Sequence, residues 1–466
     1  MNMVAQPALE RSLSAEHPNG QMGAWQILWP ALLGLLSFWV LLAAIAQPGS
    51  MPGVSMGATV LAASMGWIVS LWVSVQQRII SSQLAILGLF IFLLRVAIGL
   101  AHYLLWFDSS YFDTFNPTFQ FILDYEALSY AAGKVSDFWN SYGFSWLPQD
   151  FLDPKNSLLY PYFAFLFFIG GNEHFLNFGP FNALHNCLVA LIASRFAFRL
   201  KGRAIAQIVF VITLMQPFGI ITTVQWRDSV GQFFLVAGGI LCILAPTNLR
   251  GGPSLLLGAF SMMTLRNVYF VNAIITFGAK LISGRKVNVV ALASSLAVGG
   301  ALLLATMYFA RSILVYDLDS GNFSFNRGPF RLLYDMVRSL SGPFPWTQML
   351  DPSIVGREYL PQELLQATFH LAATYLLWKS WRAGSLDLSE STTLSTLVFF
   401  GSIMGAGLIS YGHVTYVTVS TVLILPFIAD LSIRRFYRVY ATILLGLIAA
   451  GATWSALGLS SAILAG

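Results

Sequence analysis

The chain has 466 residues, of which 56% are hydrophobic and 10% are charged, with a net charge of +5 and a mean hydropathy of +0.70. This composition excludes a soluble globular protein, because its core could not bury so many apolar side chains. The sequence therefore predicts an all-α polytopic integral membrane protein. The excess of Lys and Arg is expected to set the orientation in the membrane, and it predicts no nucleic-acid partner.

Apolar runs along the chain predict roughly 11 to 13 transmembrane helices. The polar residues 1–24 precede the first run as a cytoplasmic tail, and residues 25–466 are expected to form a single integral membrane domain. Candidate spans are 25–46, 54–75, 83–106, 175–194, 204–222, 229–246, 287–310, 363–381, 394–410, 413–431 and 439–463. Two further runs fit one span poorly. The run 158–170 is too short for a hydrocarbon core of ~30 Å, and 254–282 is too long and contains Arg266.

Four clusters of basic residues constrain how these runs cross the membrane. They are Arg195, Arg199, Lys201 and Arg203; Lys280, Arg285 and Lys286; Lys379 and Arg382; and Arg434, Arg435 and Arg438. Basic clusters favour the cytoplasmic side. All four are cytoplasmic only if 158–170 does not cross and 254–282 crosses an even number of times or not at all. We therefore expect re-entrant or broken segments there, which are tolerated where they line a polar cavity.

This arrangement puts the N-terminus inside and several polar segments together on the external face. They are the loops 107–157 and 311–362 and the turns 222–228 and 410–413. The apolar spacing in the first loop predicts short amphipathic helices that lie against the outer face, and we expect the second loop to carry such helices too. Polar segments gathered on one side of the membrane are what a site for a lipid-linked substrate needs.

Short motifs in this region carry a family resemblance. They are Asp124-Tyr125-Glu126-Ala127 with Tyr130-Ala131-Ala132-Gly133, Leu159-Tyr160-Pro161-Tyr162, Phe181-Asn182-Ala183-Leu184 and Trp226-Arg227-Asp228-Ser229. Over residues 110–270 the chain resembles GT-C type membrane glycosyltransferases. The later sequence Gly342-Pro343-Phe344-Pro345-Trp346 is similar to a passage in bacterial polysaccharide-assembly membrane proteins of polymerase type. The first loop departs from the GT-C pattern because it has no paired Asp-Asp or Glu-Asp dyad.

The resemblance implies an inverting enzyme that transfers or polymerises sugars from a polyprenyl-(pyro)phosphate-linked donor. It would act at the external face of a bacterial inner membrane during cell-envelope or exopolysaccharide assembly. Its partners would be the lipid-linked sugar or oligosaccharide, membrane lipid and other polysaccharide-assembly proteins. The sequence has no glycine-rich phosphate loop and no spacing typical of a dedicated metal site, so we expect no cofactor, although a divalent cation is left open.

Transfer of a sugar from a phosphate leaving group needs a carboxylate to take the acceptor proton and cations to neutralise the phosphate. Asp124 is the first candidate carboxylate and Glu126 the second; the alternative is a pair of solvated loop acids. Arg266 is the candidate phosphate ligand, because an intramembrane guanidinium is costly and matches phosphate in a bidentate manner. An equal alternative is a structural ion pair between Arg266 and Asp228.

Arg227 and Asp228 adjoin each other between two predicted spans. They could bind the substrate phosphate or sugar, or else Arg227 could reach lipid headgroups while Asp228 caps the next helix. Further candidates for substrate contact are Tyr130, Tyr160, His413, Arg331 and Arg338. For these, the alternatives are interfacial aromatic belts, a turn histidine and contacts with lipid headgroups.

Other polar residues within the apolar runs are expected to have structural roles. Arg95 should fasten helices together, and His185 and His370 should be hydrogen-bonded packing residues. Cys187 and Cys242 should also be packing residues, because each lies inside an apolar run where a disulfide or a cysteine metal site is not expected.

Two other functions stay open at this point. The first is an O-antigen-type repeat-unit polymerase, in which arginines dominate instead of a carboxylate. The second is a secondary transporter or a flippase for lipid-linked oligosaccharides, although the chain shows no internal repeat and its two long external loops are unusual for such folds. An enzyme should depend on Asp124 or Arg266, whereas a transporter should depend on residues at mid-membrane.

Overall fold

The computed structural model describes most of the apolar chain. The described residues are 22–106, 120–145, 159–171, 175–217, 228–246, 251–264, 270–283, 329–341, 360–386, 389–409, 415–428 and 431–457. Within these ranges every regular element is a helix and no strand occurs, which confirms the all-α prediction. The predicted span 287–310 and most of the turns 222–228 and 410–413 lie outside the described residues.

The helices are numbered here in chain order. They are α1 (Ala24–Ile45), α2 (Pro52–Gln76), α3 (Ser82–Trp106), α4 (Gln120–Tyr142), α5 (Leu159–Gly170), α6 (Phe178–Lys201), α7 (Arg203–Leu214), α8 (Asp228–Leu244), α9 (Gly252–Thr264), α10 (Phe270–Ser283), α11 (Pro329–Ser341), α12 (Leu360–Arg382), α13 (Glu390–Ile409), α14 (Thr415–Ile424) and α15 (Ile433–Ala456). Short 3₁₀ turns precede α6 and follow α14, at Phe175–Asn177 and Leu425–Phe427.

Five helices of the described chain are long and apolar enough to cross a membrane: α1, α2, α3, α6 and α15. The shorter helices α5, α7, α8 and α9 are apolar as well. The protein is therefore a membrane-embedded helical protein, while the predicted number of spans stays a prediction. In the first polar loop, the expected short helices are replaced in the described part by one helix of 23 residues, α4.

Helix α6 lies at the centre of the first half of the fold. Its residues from Phe178 to Ala197 are all buried, and it contacts α1, α2, α3, α7 and α8. Around it, α1 and α2 pack with their backbones in contact, because a Cβ added to Gly34 would lie 2.6 Å from the carbonyl oxygen of Gly66. Small residues at such crossings are what allow membrane helices to approach closely.

One end of the bundle is fixed by a buried arginine. Arg195 of α6 is 0% exposed and donates hydrogen bonds to the carbonyl oxygens of Ile27 at 3.0 Å and Gln26 at 2.6 Å. Arg199 donates to the carbonyl of Met22. The end of α6 therefore lies against the start of α1. Arg195, grouped in the sequence with loop cations, is instead an interior residue whose charge is satisfied by backbone dipoles.

The opposite end is fixed by Asn177, just before α6. Its Oδ1 accepts hydrogen bonds from Ser55 and Thr59 near the start of α2, both at 3.2 Å. The amide of Gly49 donates to the carbonyl of Gly171 at 3.0 Å, which places the end of α5 beside the connection between α1 and α2. We call these two ends of the bundle the Arg195 end and the Asn177 end.

Several helices of the second half of the chain also end at one of these two ends of the bundle. Lys280 of α10 pairs with Glu390 at 2.8 Å and donates to the carbonyl of Ile243 at 3.0 Å, so the end of α10 lies beside the end of α8. Phe427, after α14, packs against Phe196 of α6 with ring centroids 6.2 Å apart. These contacts put the ends of α8, α10 and α14 at the Arg195 end.

Helix α15 leaves the Arg195 end and runs antiparallel to α12. Phe436 near its start packs on Phe369, with ring centroids 5.3 Å apart, and the hydroxyl of Tyr440 donates to the carbonyl of Leu365 at 3.0 Å. All four predicted basic clusters thus have described members at one end of the bundle. This agrees with the arrangement expected from the basic residues; which side of the membrane each end faces stays a prediction.

Candidate functional site in the connections between half-length helices

Helices α7 and α8 stop short of the Asn177 end. Arg95 of α3 donates one hydrogen bond to Cys187 Sγ of α6 at 3.2 Å and another to the carbonyl of Leu214, the last residue of α7. Asn186 of α6 donates to Ser229 Oγ at the start of α8 at 2.9 Å. The end of α7 and the start of α8 are therefore level with adjacent residues of α6, about 13 Å along that helix from its beginning.

Proline explains why α7 ends there, whereas the sequence predicts a span over 204–222. A proline at position 217 has no N–H to donate into the helix and disfavours helical geometry at Gln216. The amide of Gln216 bonds to the carbonyl of Thr213 at 3.1 Å, a tightened last turn. Arg95 then satisfies the freed carbonyl of Leu214 and joins three helices, as predicted for Arg95.

Helices α9 and α10 form a second short pair. The carbonyl of Leu255 accepts a weak hydrogen bond from Cys242 Sγ at 3.5 Å, so α9 starts at the Arg195 end, where α10 finishes at Lys280. With 13 and 14 residues, each helix extends only ~20 Å from that end. Both ends of the run 254–282 thus lie on one side, in agreement with the prediction that it is broken and does not cross once.

Helix α5 is the third short element and approaches from the opposite end. Its 12 residues cover about 18 Å, and its last turn contacts the connection between α1 and α2. Near its start, Tyr162 packs against Trp39, with centroids 5.9 Å apart, and against Phe234, at 5.5 Å. The segment therefore begins within the bundle and ends at the Asn177 end, as expected for a run that does not cross.

Polar side chains gather at the depth where these helices stop. His185 Nδ1 contacts the carbonyl of Phe181 at 2.8 Å, and because a carbonyl can only accept, this nitrogen carries the proton. His185 Nε2 then accepts from the hydroxyl of Tyr162 at 3.0 Å. Both ring nitrogens are used, which confirms His185 as a packing residue. His370 in α12 accepts from Gln366 through Nε2 at 2.9 Å, whereas its Nδ1 has no hydrogen-bond partner among the described residues.

Buried amides at this depth are incompletely satisfied. Oδ1 of Asn182 and Nε2 of Gln232 have no hydrogen-bond partner among the described residues, and both side chains are 1% exposed. Asn182 and Asn186 are four residues apart on α6 and so share one face. Neither Asn186 nor Gln232 was predicted from the sequence as a site residue. The sequence does carry a signal for them, because Asn and Gln recur inside its apolar runs, where each needs a hydrogen-bond partner.

Most of the predicted site residues either lie outside the described part of the chain or have side chains that are not described. Asp124, Glu126 and Tyr130 lie on α4, and Arg331 lies on α11; of their side chains nothing is described. Asp228 is the first residue of α8, with its side chain likewise not described. Arg227, Arg266 and His413 lie outside the described residues. The roles predicted for these residues therefore stay predictions.

Two of the residues predicted to contact substrate, Tyr160 and Arg338, have described side chains. Tyr160 is half-buried and packs against the hydrophobic core at the start of α5. Arg338 is half-buried on α11, which packs against α12, α13 and α14 and so enters the bundle. A site residue on α11 would therefore lie inside the part of the bundle formed by α12, α13 and α14. In the described part of the chain, no cluster of three or more His, Cys, Asp or Glu residues could hold a metal ion.

The position of α4 follows from aromatic contacts at its end. Trp139 packs on Phe168 of α5 with ring centroids 6.0 Å apart, and Phe144, just beyond α4, packs on Phe165 at 5.8 Å. These partners belong to the half of α5 nearest the Asn177 end. The last turn of α4, the helix that carries Asp124, is therefore attached at the Asn177 end.

Comparison of the chain with protein-family models, with curated proteins and with solved structures gave no match. The resemblance to GT-C enzymes therefore continues to stand on the sequence motifs alone.

Proposed function

We propose that this protein is a membrane glycosyltransferase or polysaccharide polymerase that uses a polyprenyl-(pyro)phosphate-linked sugar as donor. One observation carries the proposal: α7, α8, α9 and α10 are all too short to reach the Asn177 end. The segments that join them, 215–227 and 265–269, contain Arg227 and Arg266. Ionisable side chains within an apolar part of the chain are costly, and by default they indicate a functional site or a buried partner.

The chemistry of the donor fits such a place. A polyprenyl chain needs an apolar environment, whereas its phosphate needs cations close to the point where the sugar leaves. Arginine binds phosphate through two parallel hydrogen bonds and keeps its charge when buried. In this proposal Arg266 binds the phosphate, and Arg227 with Asp228 contacts the phosphate or sugar. The basic Arg195 end faces the cytoplasm, so that the reaction takes place on the external side of a bacterial inner membrane.

The acceptor is activated from α4. Asp124 takes or orients the proton of the acceptor hydroxyl as the new glycosidic bond forms and the bond to phosphate breaks with inversion. Glu126 is the second candidate for this role. The remaining residues proposed to contact the substrate are Tyr130, Tyr160, His413, Arg331 and Arg338.

The experiment compares two aspartates on the same helix. A deletion strain of the source bacterium is complemented with wild type, Asp124→Asn or Asp137→Asn, since Asp137 is exposed on α4 and serves as the matched control. Asp124→Asn should lower product formation by about 10²–10⁴ at unchanged protein level, and Asp137→Asn should be close to wild type. Equal activity of all three proteins would remove Asp124 from the mechanism and shift attention to Glu126.

An assay in detergent solution distinguishes a glycosyltransferase from a transporter. An enzyme joins or transfers sugars with purified lipid-linked donor in the absence of a sealed bilayer, so a covalent product appears by mass spectrometry. A flippase or secondary transporter only moves its substrate between two sides and gives no new covalent product. Lipid-linked donor recovered unchanged after incubation with folded protein would favour a transporter.

A further inference from the structure

A cavity of about 550 Å³ lies between α12 and the first turns of α15, at the Arg195 end. The side chains that matter for its chemistry are Tyr375, Lys379, Ser432, Arg434, Arg435 and Arg438. Helix α15 starts there because Ser432 caps it, accepting the amide of Arg435 at 3.1 Å. The cavity is separate from the connections assigned to the proposed reaction, which lie at the far ends of the short helices.

The cavity is strongly cationic. Lys379, Arg434 and Arg438 are all exposed side chains that face it from two helices, and none of its described lining residues is acidic. Arg434 and Arg438 are four residues apart on one face of α15, a spacing at which like charges repel. Such a group of cations is stabilised by an anion that several of them can contact at once.

The surroundings of the cavity are those of a lipid-facing surface. Only 6% of the apolar stretch of α15 is buried by the rest of the described chain. On α12, Trp378 and Trp381 are 50% and 58% exposed, and the Arg382 guanidinium lies over the Trp378 ring at 5.5 Å. Exposed tryptophans beside cations are typical of the boundary between the hydrocarbon and headgroup layers. The cavity therefore opens where phospholipid headgroups lie.

We propose that this cavity binds the headgroup of an anionic phospholipid. Lys379, Arg434 and Arg438 contact the phosphate oxygens, and the hydroxyl of Tyr375 is placed to contact the same headgroup. The acyl chains lie along the exposed apolar face of α15. A basic pocket between membrane helices is the usual form of such a site. The apolar surface directly beside the cations favours a lipid over a soluble phosphate, which would leave that surface unused.

Thermal unfolding of the purified protein in a neutral detergent tests the assignment. Phosphatidylglycerol should raise the midpoint temperature in a saturable manner, because a ligand that binds only the folded state stabilises it. Phosphatidylcholine, inorganic phosphate and glycerol phosphate should not. The double variant Arg434→Gln with Arg438→Gln should weaken the apparent affinity for phosphatidylglycerol roughly 30-fold, from about 1 kcal/mol for each cation near a membrane surface.

The matched control removes two cations from the same end outside the cavity, Lys201→Gln with Arg78→Gln; both side chains are exposed. It should keep the wild-type affinity. Equal weakening in both double variants would show a diffuse surface potential and overturn the site. A comparable shift with inorganic phosphate would show a soluble-anion site instead of a lipid site. If the double variant of the cavity folds poorly, Lys379→Gln replaces it and should also weaken the affinity for phosphatidylglycerol. Native mass spectrometry of the wild type should then show a retained anionic phospholipid.

Discussion

The crossing of α8 and α9 provides the sharpest stability prediction. At Gly258, an added Cβ would lie 2.6 Å from the carbonyl oxygen of Gly238 and 2.7 Å from Cys242 Sγ. Ordinary van der Waals contact begins near 3.4 Å, so Gly258→Ala requires the two helices to separate by close to 1 Å. Neither obstacle is the flexible end of a long side chain, and the strain cannot be relieved by a change of rotamer.

Overpacking of this kind costs about 1–3 kcal/mol in closely packed interiors. In a chain of this length 1 kcal/mol shifts the midpoint of thermal unfolding by about 1 °C, so we expect Gly258→Ala to lower the midpoint by about 1–3 °C. A thiol-reactive dye can follow the transition, because Cys187 and Cys242 are both buried in the folded protein. Cys242 lies at the crossing itself, so it should also react faster in the native state of the variant. The shift moves the end of α9, from which the segment containing Arg266 begins, and should reduce activity.

Gly446→Ala is the matched control. An added Cβ at Gly446 of α15 meets nothing within 4 Å, and alanine favours helix more than glycine does. Its midpoint should equal or slightly exceed that of wild type. If Gly258→Ala unfolded at the same temperature as the control and left Cys242 unreactive, the close approach of α8 and α9 would be refuted.

Two further predictions concern the proposed site and the orientation. Arg266→Lys should give normally expressed, stable but inactive protein if Arg266 binds phosphate, because an ammonium cannot reproduce the bidentate contact. Poor yield of Arg266→Leu that is recovered by adding Asp228→Leu would support a buried ion pair instead. A cysteine at the exposed position Asn140 should react with an impermeant thiol reagent from outside the cell, and one at Lys201 should not; labelling of Lys201→Cys would reverse the orientation.

Length and composition were sufficient to predict the helical membrane fold and the position of both ends of the run 254–282 at one end of the bundle. In that run, a charged residue and too many residues for one span both indicated an interruption. The early end of α7 was harder to predict, because apolar residues continue past Leu214. What stops the helix is a proline together with Arg95, which lies on another helix more than a hundred residues away in the chain.

The buried position of Arg195 could not be predicted from the sequence pattern either. A cation near the end of an apolar run is usually a loop residue that favours the cytoplasm. Here the carbonyls of α1 lie within reach, so the guanidinium is buried with its hydrogen bonds satisfied. The pairing of Tyr162 with His185 has the same character: each residue could be identified as polar within an apolar run, whereas the partner depends on how α5 folds back along α6.

The bond from Arg195 to the start of α1 also bears on how the protein is assembled. The two residues it joins are 168 positions apart, so α1 enters the membrane long before its partner is synthesised. An unpaired arginine in an apolar helix opposes insertion, by about 2.5–3.5 kcal/mol at the helix centre and by less towards its end, and in the mature protein the penalty for Arg195 is offset by carbonyls that belong to another helix. We therefore expect α6 to insert efficiently only when α1 is already in place, which makes the first helix an internal template for the sixth. Glycosylation mapping of a chain that lacks α1 would show whether α6 still inserts without it.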